Sequence, residues 1–211
     1  MCQGEQSMRY SDTHKTETHA KLVKLAGRML REKGPDKLAV TELMQGAGLT
    51  HGGFYAHFAS KDVLLTEALK GIFADSAQKL QRMADGGSPR EALSFFVDSY
   101  VSPAHRDRFA TGCPIVALNS DLPRQPKKFR AAFDAGIRTL AGTLAGWMAA
   151  ARIDGGEAVA ASVLAAMAGA VAVSRGVSDK RLSDELLVAA RQSIRARLGL
   201  TDADLSGRVA Q

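Results

Sequence analysis

Residues 40–61 of this 211-residue chain read VTELMQGAGLTHGGFYAHFASK, and this stretch decides the fold. Residues 40–47 predict one short helix, Gly48 supplies a tight turn, and Thr50 is a suitable N-cap for a further helix that ends near Phe58. Two short helices joined by a turn that contains glycine are typical of a helix-turn-helix. The second helix of that motif enters the major groove of DNA, so the pattern indicates a DNA-binding segment.

The side chains of this segment divide into an apolar set and a polar set. The apolar side chains, which can pack the two helices on each other and on the preceding helix, are Leu43, Leu49, Phe54 and Phe58. The side chains left free to meet DNA are Thr50, His51 and Tyr55. Tyr55 and Phe58 can alternatively be core aromatics, and His57 can be a histidine that faces solvent.

Gly52 and Gly53 break a local rule, since each glycine inside a helix costs roughly 1 kcal/mol relative to alanine. Such a violation is often the mark of a functional site. The functional explanation is a close approach of the backbone to phosphates or base edges. The alternative is that the two glycines only loosen the turn.

Outward from the motif, every periodic segment is helical. A first helix is predicted from about Thr16 to Lys33, stopped by Gly34-Pro35, and a fourth runs from its cap at Ser60 to residue 85. The run DGGSP at 85–89 then separates a head from a body. Five more helices are predicted at about 89–101, 114–121, 126–151, 156–176 and 183–198. We therefore expect an all-α fold of about nine helices, with a head at 15–75, its motif at 40–59, and a body at 88–200.

Composition sets weaker limits. The net charge of +6 and the pI near 9.5 are compatible with a polyanionic partner without demonstrating one. The two cysteines, Cys2 and Cys113, do not form a disulfide framework, which indicates a reducing compartment. The N-terminus lacks an apolar signal segment, and the uncharged run at 158–174 is rich in alanine and glycine. We expect a cytoplasmic protein that is not associated with a membrane.

Residues 48–64, GLTHGGFYAHFASKDVL, resemble the TetR family of bacterial transcriptional regulators. The family signature combines a small residue, a glycine, a tyrosine and then His-Phe, followed by Ser-Lys and an acidic residue, and the resemblance is strong over about 16–70. It implies that Thr50 and His51 begin the recognition helix and that Gly52 allows close approach to DNA. It further implies phosphate contacts, which would be made by Thr41, Tyr55, His57 and Lys61.

The resemblance also implies the partners of the body. Operators read by such heads are usually two-fold, so we expect a homodimer on a palindromic double-stranded DNA operator. The family places the dimer contact on the last two long helices, here about 156–176 and 183–198. Small residues repeat along the first of these, and Leu187, Ala190, Ile194 and Leu198 form an apolar stripe on the second.

The middle helices are expected to enclose an unknown small-molecule inducer that is hydrophobic or thiol-reactive. Large apolar side chains at helical spacing are the candidate wall, although each can equally be plain core: Phe95, Phe96, Tyr100, Phe109, Phe133, Trp147 and Met167. Cys113 precedes Pro114, which puts its thiol near a helix N-cap, where a lowered pKa favours the reactive thiolate. A buried structural cysteine is the alternative.

The leading hypothesis is therefore a ligand-responsive repressor, with an activator of the same fold as the alternative. A small helical enzyme is a third hypothesis, but Asp98, His105 and Asp107 form no recognisable catalytic set. No motif with metal-ligand spacing and no phosphate-binding loop occurs, so neither a metal nor a cofactor is expected.

Overall fold

The computed structural model describes the backbone of residues 3–205 and the side chains of residues 14–204. Residues 3–205 contain α-helices, three short 3₁₀ helices and no strand, which confirms the all-α prediction. The α-helices are α1 (Gln3–Lys37), α2 (Val40–Gly46), α3 (Lys61–Ala84), α4 (Pro89–Tyr100), α5 (Pro103–Asp107), α6 (Pro114–Leu118), α7 (Lys127–Ala150), α8 (Gly156–Gly176) and α9 (Lys180–Arg197). The 3₁₀ helices are His51–Ala56, Leu122–Arg124 and Asp202–Leu205.

The first helix is longer than predicted but is interrupted where expected. It begins at Gln3 rather than near Thr16, because the periodic pattern detects only the part of the helix that packs against a core. Gly34 leaves the helical conformation with a φ of 79°, which glycine adopts without steric cost, and one further turn ends at Lys37. Gly34 and Pro35, which were predicted to end the first helix, therefore mark a kink within α1.

The caps of the next helices match the sequence signals. The Ser60 hydroxyl accepts a hydrogen bond from the Val63 N–H at the start of α3. Ser88 and Glu91 form a reciprocal capping box at the start of α4, directly after the predicted break. These caps satisfy backbone N–H groups that would otherwise lack a partner at the helix ends.

The long helix α3 connects the head to the body, because it packs against α1 and also against α7. Phe73 of α3 meets Phe133 of α7 edge to face, with 5.6 Å between the ring centroids. The two helices pack tightly at Gly136, where an added Cβ would stand 2.2 Å from Cγ of Phe73. Head and body therefore share one continuous apolar core.

Two parts of the body differ from prediction. The polar connection at 102–113 contains α5, whose N-cap Ser102 accepts from the His105 N–H, and which buries His105 and Arg106. This helix was not predicted because its buried side chains, His105 and Arg106, are polar and form hydrogen bonds, so the segment shows no apolar periodicity. The last helix α9 begins at Lys180 rather than at 183, because the Asp179 carboxylate caps it.

Candidate DNA-binding surface and ligand cavity

The helix-turn-helix is built on a buried apolar layer. Leu43 and Met44 of α2 and Phe54 and Phe58 of the next segment are all buried. The turn between them is closed by the Leu49 N–H, which donates to the Met44 carbonyl at 2.8 Å, while Gly48 takes a φ of 77°. The second element, His51–Ala56, is a 3₁₀ helix rather than the expected α-helix. A short segment with two glycines gains little from the α-helical form.

The predicted DNA-facing side chains lie mainly on the outer edge of this motif. Thr50 occupies the N-cap position but makes no side-chain capping bond, so its hydroxyl faces solvent. Thr41 and His51 are also exposed, and Tyr55 leaves 70% of its surface accessible although its ring edge contacts Phe54. A largely exposed tyrosine beside a buried aromatic layer is well placed for an external partner.

The two glycines of the motif have different surroundings. A Cβ built on Gly52 would meet no atom within 4 Å, and the backbone of Gly52 is not left-handed. A Cβ on Gly53 would touch Met44 at 3.6 Å and Thr50 at 3.9 Å, which are ordinary contact distances. Neither packing nor backbone conformation among the described residues requires a glycine at 52, and its proposed role in close approach to DNA stays a prediction.

His57 and Lys61 are more deeply involved in the fold than the exposed set. Nδ1 of His57 is buried without a hydrogen-bond partner, and burial followed by the nearby His19 lowers the pKa of His57. His19 itself pairs with Glu67 at 2.8 Å. Lys61 is the first residue of α3, and its Nζ donates to the Asp36 carbonyl at 3.3 Å. Their phosphate contacts stay predictions.

A cavity of about 230 Å³ lies in the body where α3, α4, α7 and α8 meet the segment 105–113. Of the side chains predicted to line a pocket, this cavity brings together Phe96, Tyr100 and Cys113. Its remaining wall was not predicted and comprises Ser76, Lys79, Leu80, Met83, Ser99, His105, Arg108, Thr111, Gly112, Leu140 and Leu164. The α3 residues of the wall lie at 76–83, between the predicted head at 15–75 and the predicted body at 88–200, and none of them was among the predicted pocket residues.

The other predicted pocket residues lie outside this wall. Phe95 and Phe109 are on the surface, and the Phe109 ring lies under the Arg175 guanidinium at 4.6 Å. Phe133 and Met167 are core, and the Trp147 ring supports Phe96 edge to face at 6.1 Å between centroids. Most of the large apolar residues that were predicted to line a pocket therefore lie in the packed core or on the surface.

Cys113 belongs to a hydrogen-bonded cluster at one end of the cavity. It is the N-cap of α6, and its backbone N–H donates to Nε2 of His105 at 3.0 Å. The other ring nitrogen, Nδ1, must then carry the proton that it shares with the Tyr100 carbonyl at 2.7 Å. The imidazole is therefore neutral, and burial lowers the pKa of His105. Through these two hydrogen bonds, the His105 ring connects the end of α4 to the start of α6.

The expectation of a lowered thiol pKa at this N-cap is wrong. Burial raises the pKa of Cys113, although Tyr100 and the backbone N–H groups of Ile115 and Val116 act in the opposite direction. In a buried site, desolvation of the thiolate outweighs the effect of a short helix terminus. Burial also raises the pKa of Tyr100, whose buried hydroxyl lies beside the Cys113 thiol and has no stronger hydrogen-bond partner among the described residues.

The segment 105–113 links the cavity to the rest of the molecule. Arg31 of α1 donates to the Ala110 carbonyl at 2.7 Å, which connects this segment to the head. Arg175 of α8 donates to the carbonyls of Arg106, at 2.7 Å, and of His105, at 3.2 Å. Arg106 in turn pairs with Asp184 of α9 at 2.6 Å. The segment 105–113 therefore contacts α1 of the head as well as α8 and α9 of the body.

Helix α8 exposes an uncharged stripe of small residues beside its buried face. The exposed members are Ala158, Ala161, Ala165, Ala166, Gly169 and Ala172. Among the described helices, α8 alone has the length and composition that would allow a membrane crossing. On α9 the predicted apolar stripe is different, because Leu187, Ile194 and Leu198 are buried in the chain's own core. The large apolar residues that α9 exposes are instead Leu182 and Val188.

Comparisons with known proteins agree with this architecture. Residues 22–68 match the family model described as "Bacterial regulatory proteins, tetR family". Residues 89–192 match that described as "Transcriptional regulator LmrA/YxaF-like, C-terminal domain". These two matched ranges fall within the predicted head and body and together cover most of the chain.

Curated relatives and solved structures extend the comparison. The HTH-type transcriptional repressor KstR2 of Mycobacterium tuberculosis is 31% identical over 86 residues, or 40% of this chain and 43% of that protein. The transcriptional regulator AcuR of Cereibacter sphaeroides is 30% identical over 118 residues, 54% of this chain and 53% of AcuR. This chain thus spans about half the length of the curated relatives it matches. The reduced form of E. coli NemR shares the fold, with a TM-score of 0.77 and 19% identity over 88% of this chain and 99% of NemR. The chain belongs to the TetR family of bacterial transcriptional regulators.

Proposed function

We propose that this chain is a ligand-responsive repressor that binds a palindromic operator as a homodimer in the cytoplasm. The observation that carries the proposal is the outer edge of the helix-turn-helix, where Thr50, His51 and Tyr55 are exposed above a buried aromatic layer. Gly52 on the same edge is free of any internal packing requirement. Repression, rather than activation, is favoured by the relative whose printed name is a repressor.

A homodimer is supported by the stripe of small residues on α8 and by the exposed Leu182 and Val188 of α9. An uncharged surface of this kind is costly to leave in water. Small side chains allow two helices to approach closely, and a second copy of the chain would bury both surfaces symmetrically. Two heads would then be presented to two half-sites on DNA.

The response to a ligand is proposed to run through the segment 105–113. A ligand in the cavity would touch Arg108, Thr111 or Cys113 and shift the Ala110 carbonyl that Arg31 holds. The ligand must bind the form with separated heads more tightly, because equal affinity for both forms would change nothing.

The proposal is tested by fluorescence anisotropy with a labelled duplex from upstream of the chain's own gene. Tyr55→Ala should weaken binding at least tenfold while leaving thermal unfolding nearly unchanged, since the ring is mostly exposed. Phe95→Ala, which truncates an exposed aromatic of the body, is the matched control and should bind like the parent. Equal binding by the parent and by Tyr55→Ala would reject the proposed DNA surface.

A further inference from the structure

The cavity in the body has a polarised wall. Its inner part is formed by apolar side chains, namely Leu80, Met83, Phe96, Leu140 and Leu164. Its rim carries the cations Lys79 and Arg108, both of which are exposed. None of the described residues that line this cavity is acidic. A ligand that matches this wall has an apolar part and a negatively charged end.

The polar groups of the wall are not equally available to a ligand. Both ring nitrogens of His105 are engaged, by the Cys113 N–H and the Tyr100 carbonyl. The Ser76 and Ser99 hydroxyls donate to carbonyls of their own helices. The Tyr100 hydroxyl, in contrast, is buried beside the Cys113 thiol, which is a weak partner, and no oxygen or nitrogen atom of the described residues accepts its proton, which is unfavourable unless a further acceptor is supplied. Because burial raises the pKa of Tyr100, the phenol keeps its proton and can donate it to an anion.

The volume limits the size of the ligand. At about 230 Å³ the cavity is smaller than the roughly 300–1,000 Å³ of sites for drug-sized molecules. It corresponds to about eight water-sized groups, at roughly 30 Å³ for each water in the liquid. An aliphatic chain of a few carbons or a single aromatic ring fits this space, together with one charged group at the rim.

We propose that the cavity binds a small carboxylate with an apolar body, a short aliphatic or single-ring aromatic acid, without a covalent step. The carboxylate lies at the rim near Lys79 and Arg108, and the apolar part contacts Leu80 and its neighbours in the wall. A neutral apolar ligand would cover the two cations without replacing their hydrogen bonds to water, and it would leave the Tyr100 hydroxyl without an acceptor. Covalent capture of an electrophile is disfavoured because burial raises the pKa of Cys113 and so disfavours the thiolate, which is the nucleophilic form. The proposal rests on the proposed function and names the ligand class of that site.

The test uses the full-length chain and calorimetric titration with benzoate and hexanoate. Each acid is compared with a neutral molecule of similar shape, benzamide or hexanol. We expect the acids to bind at least tenfold more tightly than their neutral counterparts. Tyr100→Phe keeps the ring and removes the hydroxyl, so it should fold normally and weaken acid binding about tenfold, as for one lost hydrogen bond to a charge.

Charge variants on α3 supply the matched pair. Lys79→Gln at the rim should weaken benzoate binding several-fold, whereas Lys70→Gln, exposed on the same helix outside this cavity wall, should leave it unchanged. Equal affinity for acid and neutral probe, or no binding of either acid, would overturn the proposal. Stoichiometric modification by N-ethylmaleimide that releases DNA from the parent and not from Cys113→Ser would overturn the non-covalent step.

Anisotropy with the operator duplex separates this proposal from the proposed function. Acid binding by a chain that does not bind DNA would refute the repressor and leave the ligand class standing. DNA binding that none of the acids affects, in a chain that does not bind them, would refute the ligand class alone.

Discussion

Replacing Gly52 by alanine should make the chain more stable and at the same time a poorer DNA binder. The added Cβ meets no atom within 4 Å and the backbone there is not left-handed, so the fold accepts the side chain without strain. Alanine restricts the unfolded chain more than glycine does, which stabilises the folded form by about 0.4–1 kcal/mol. If the backbone at Gly52 approaches DNA as proposed, the added methyl group lies between that backbone and the duplex.

The loss of DNA affinity follows from the number of heads. If the methyl group prevents one backbone hydrogen bond to a phosphate in each head, about 1.5 kcal/mol is lost per head. A dimer then loses about 3 kcal/mol, which corresponds to roughly a hundredfold weaker operator binding. A variant with a general folding defect would lose both stability and DNA affinity. Gly52→Ala is expected to gain stability and lose affinity, so the two cases can be distinguished.

Urea denaturation and anisotropy titration of the same preparations measure the two effects. Gly142→Ala on α7 is the matched control, because its Cβ also meets no atom within 4 Å and it lies far along the chain from the motif. We expect a similar gain in unfolding free energy for Gly142→Ala and no change in DNA affinity. Unchanged DNA affinity in Gly52→Ala would refute the close approach of this backbone to DNA.

Three further predictions concern the scaffold. Gly136→Ala places a Cβ 2.2 Å from the Phe73 ring, and the overpacking should lower the unfolding free energy in urea by about 1–3 kcal/mol. Arg106→Ala removes a buried guanidinium that donates to α5 and α9, and should cost about 1.5–3 kcal/mol in thermal or urea unfolding, whereas Arg124→Ala at an exposed pair should cost under about 0.5 kcal/mol. Acid should destabilise the chain, because the pKa of His105 is lower in the folded state than in the unfolded state. Below about pH 6.5 the unfolded chain therefore binds a proton at this residue that the folded chain does not bind. Urea titrations at pH 7.5 and 5.5 check this, and His105→Gln should reduce the fall in stability; an equal fall in both chains would contradict it.

The sequence predicts best where a pattern has a local cause. The cap at Ser60, the turn at Gly48 and the break before Pro89 depend on neighbouring residues, and the structure has all three. The all-α class followed from helical periodicity for the same reason. The helix α5 escaped prediction, since the burial of Arg106 depends partly on Ser183 and Asp184, which are far along the chain, and not only on its neighbour Asp107.

The cavity was harder to predict because its wall is assembled from distant segments. Lys79 and Leu80 lie on the part of α3 between the predicted head and the predicted body, while Leu164 lies on the helix expected at the dimer contact. The raised pKa of Cys113 likewise depends on burial, which outweighs the local N-cap that the sequence displays. Phe133 and Met167 carried the same apolar signal as Phe96 but lie in the core. Periodicity finds buried faces and cannot distinguish a packed core from the wall of a cavity.

The salt dependence of DNA binding tests the central proposal most directly. The logarithm of the association constant with a duplex from upstream of the gene should fall linearly with the logarithm of salt concentration, by about 0.9 for each phosphate contact. Lys61→Gln should reduce that slope by about 1.8, one contact for each of two heads, while Arg138→Gln, an exposed change in the body, should leave it unaltered. An association that does not depend on salt, or a slope that Lys61→Gln leaves unchanged, would contradict phosphate binding by this head.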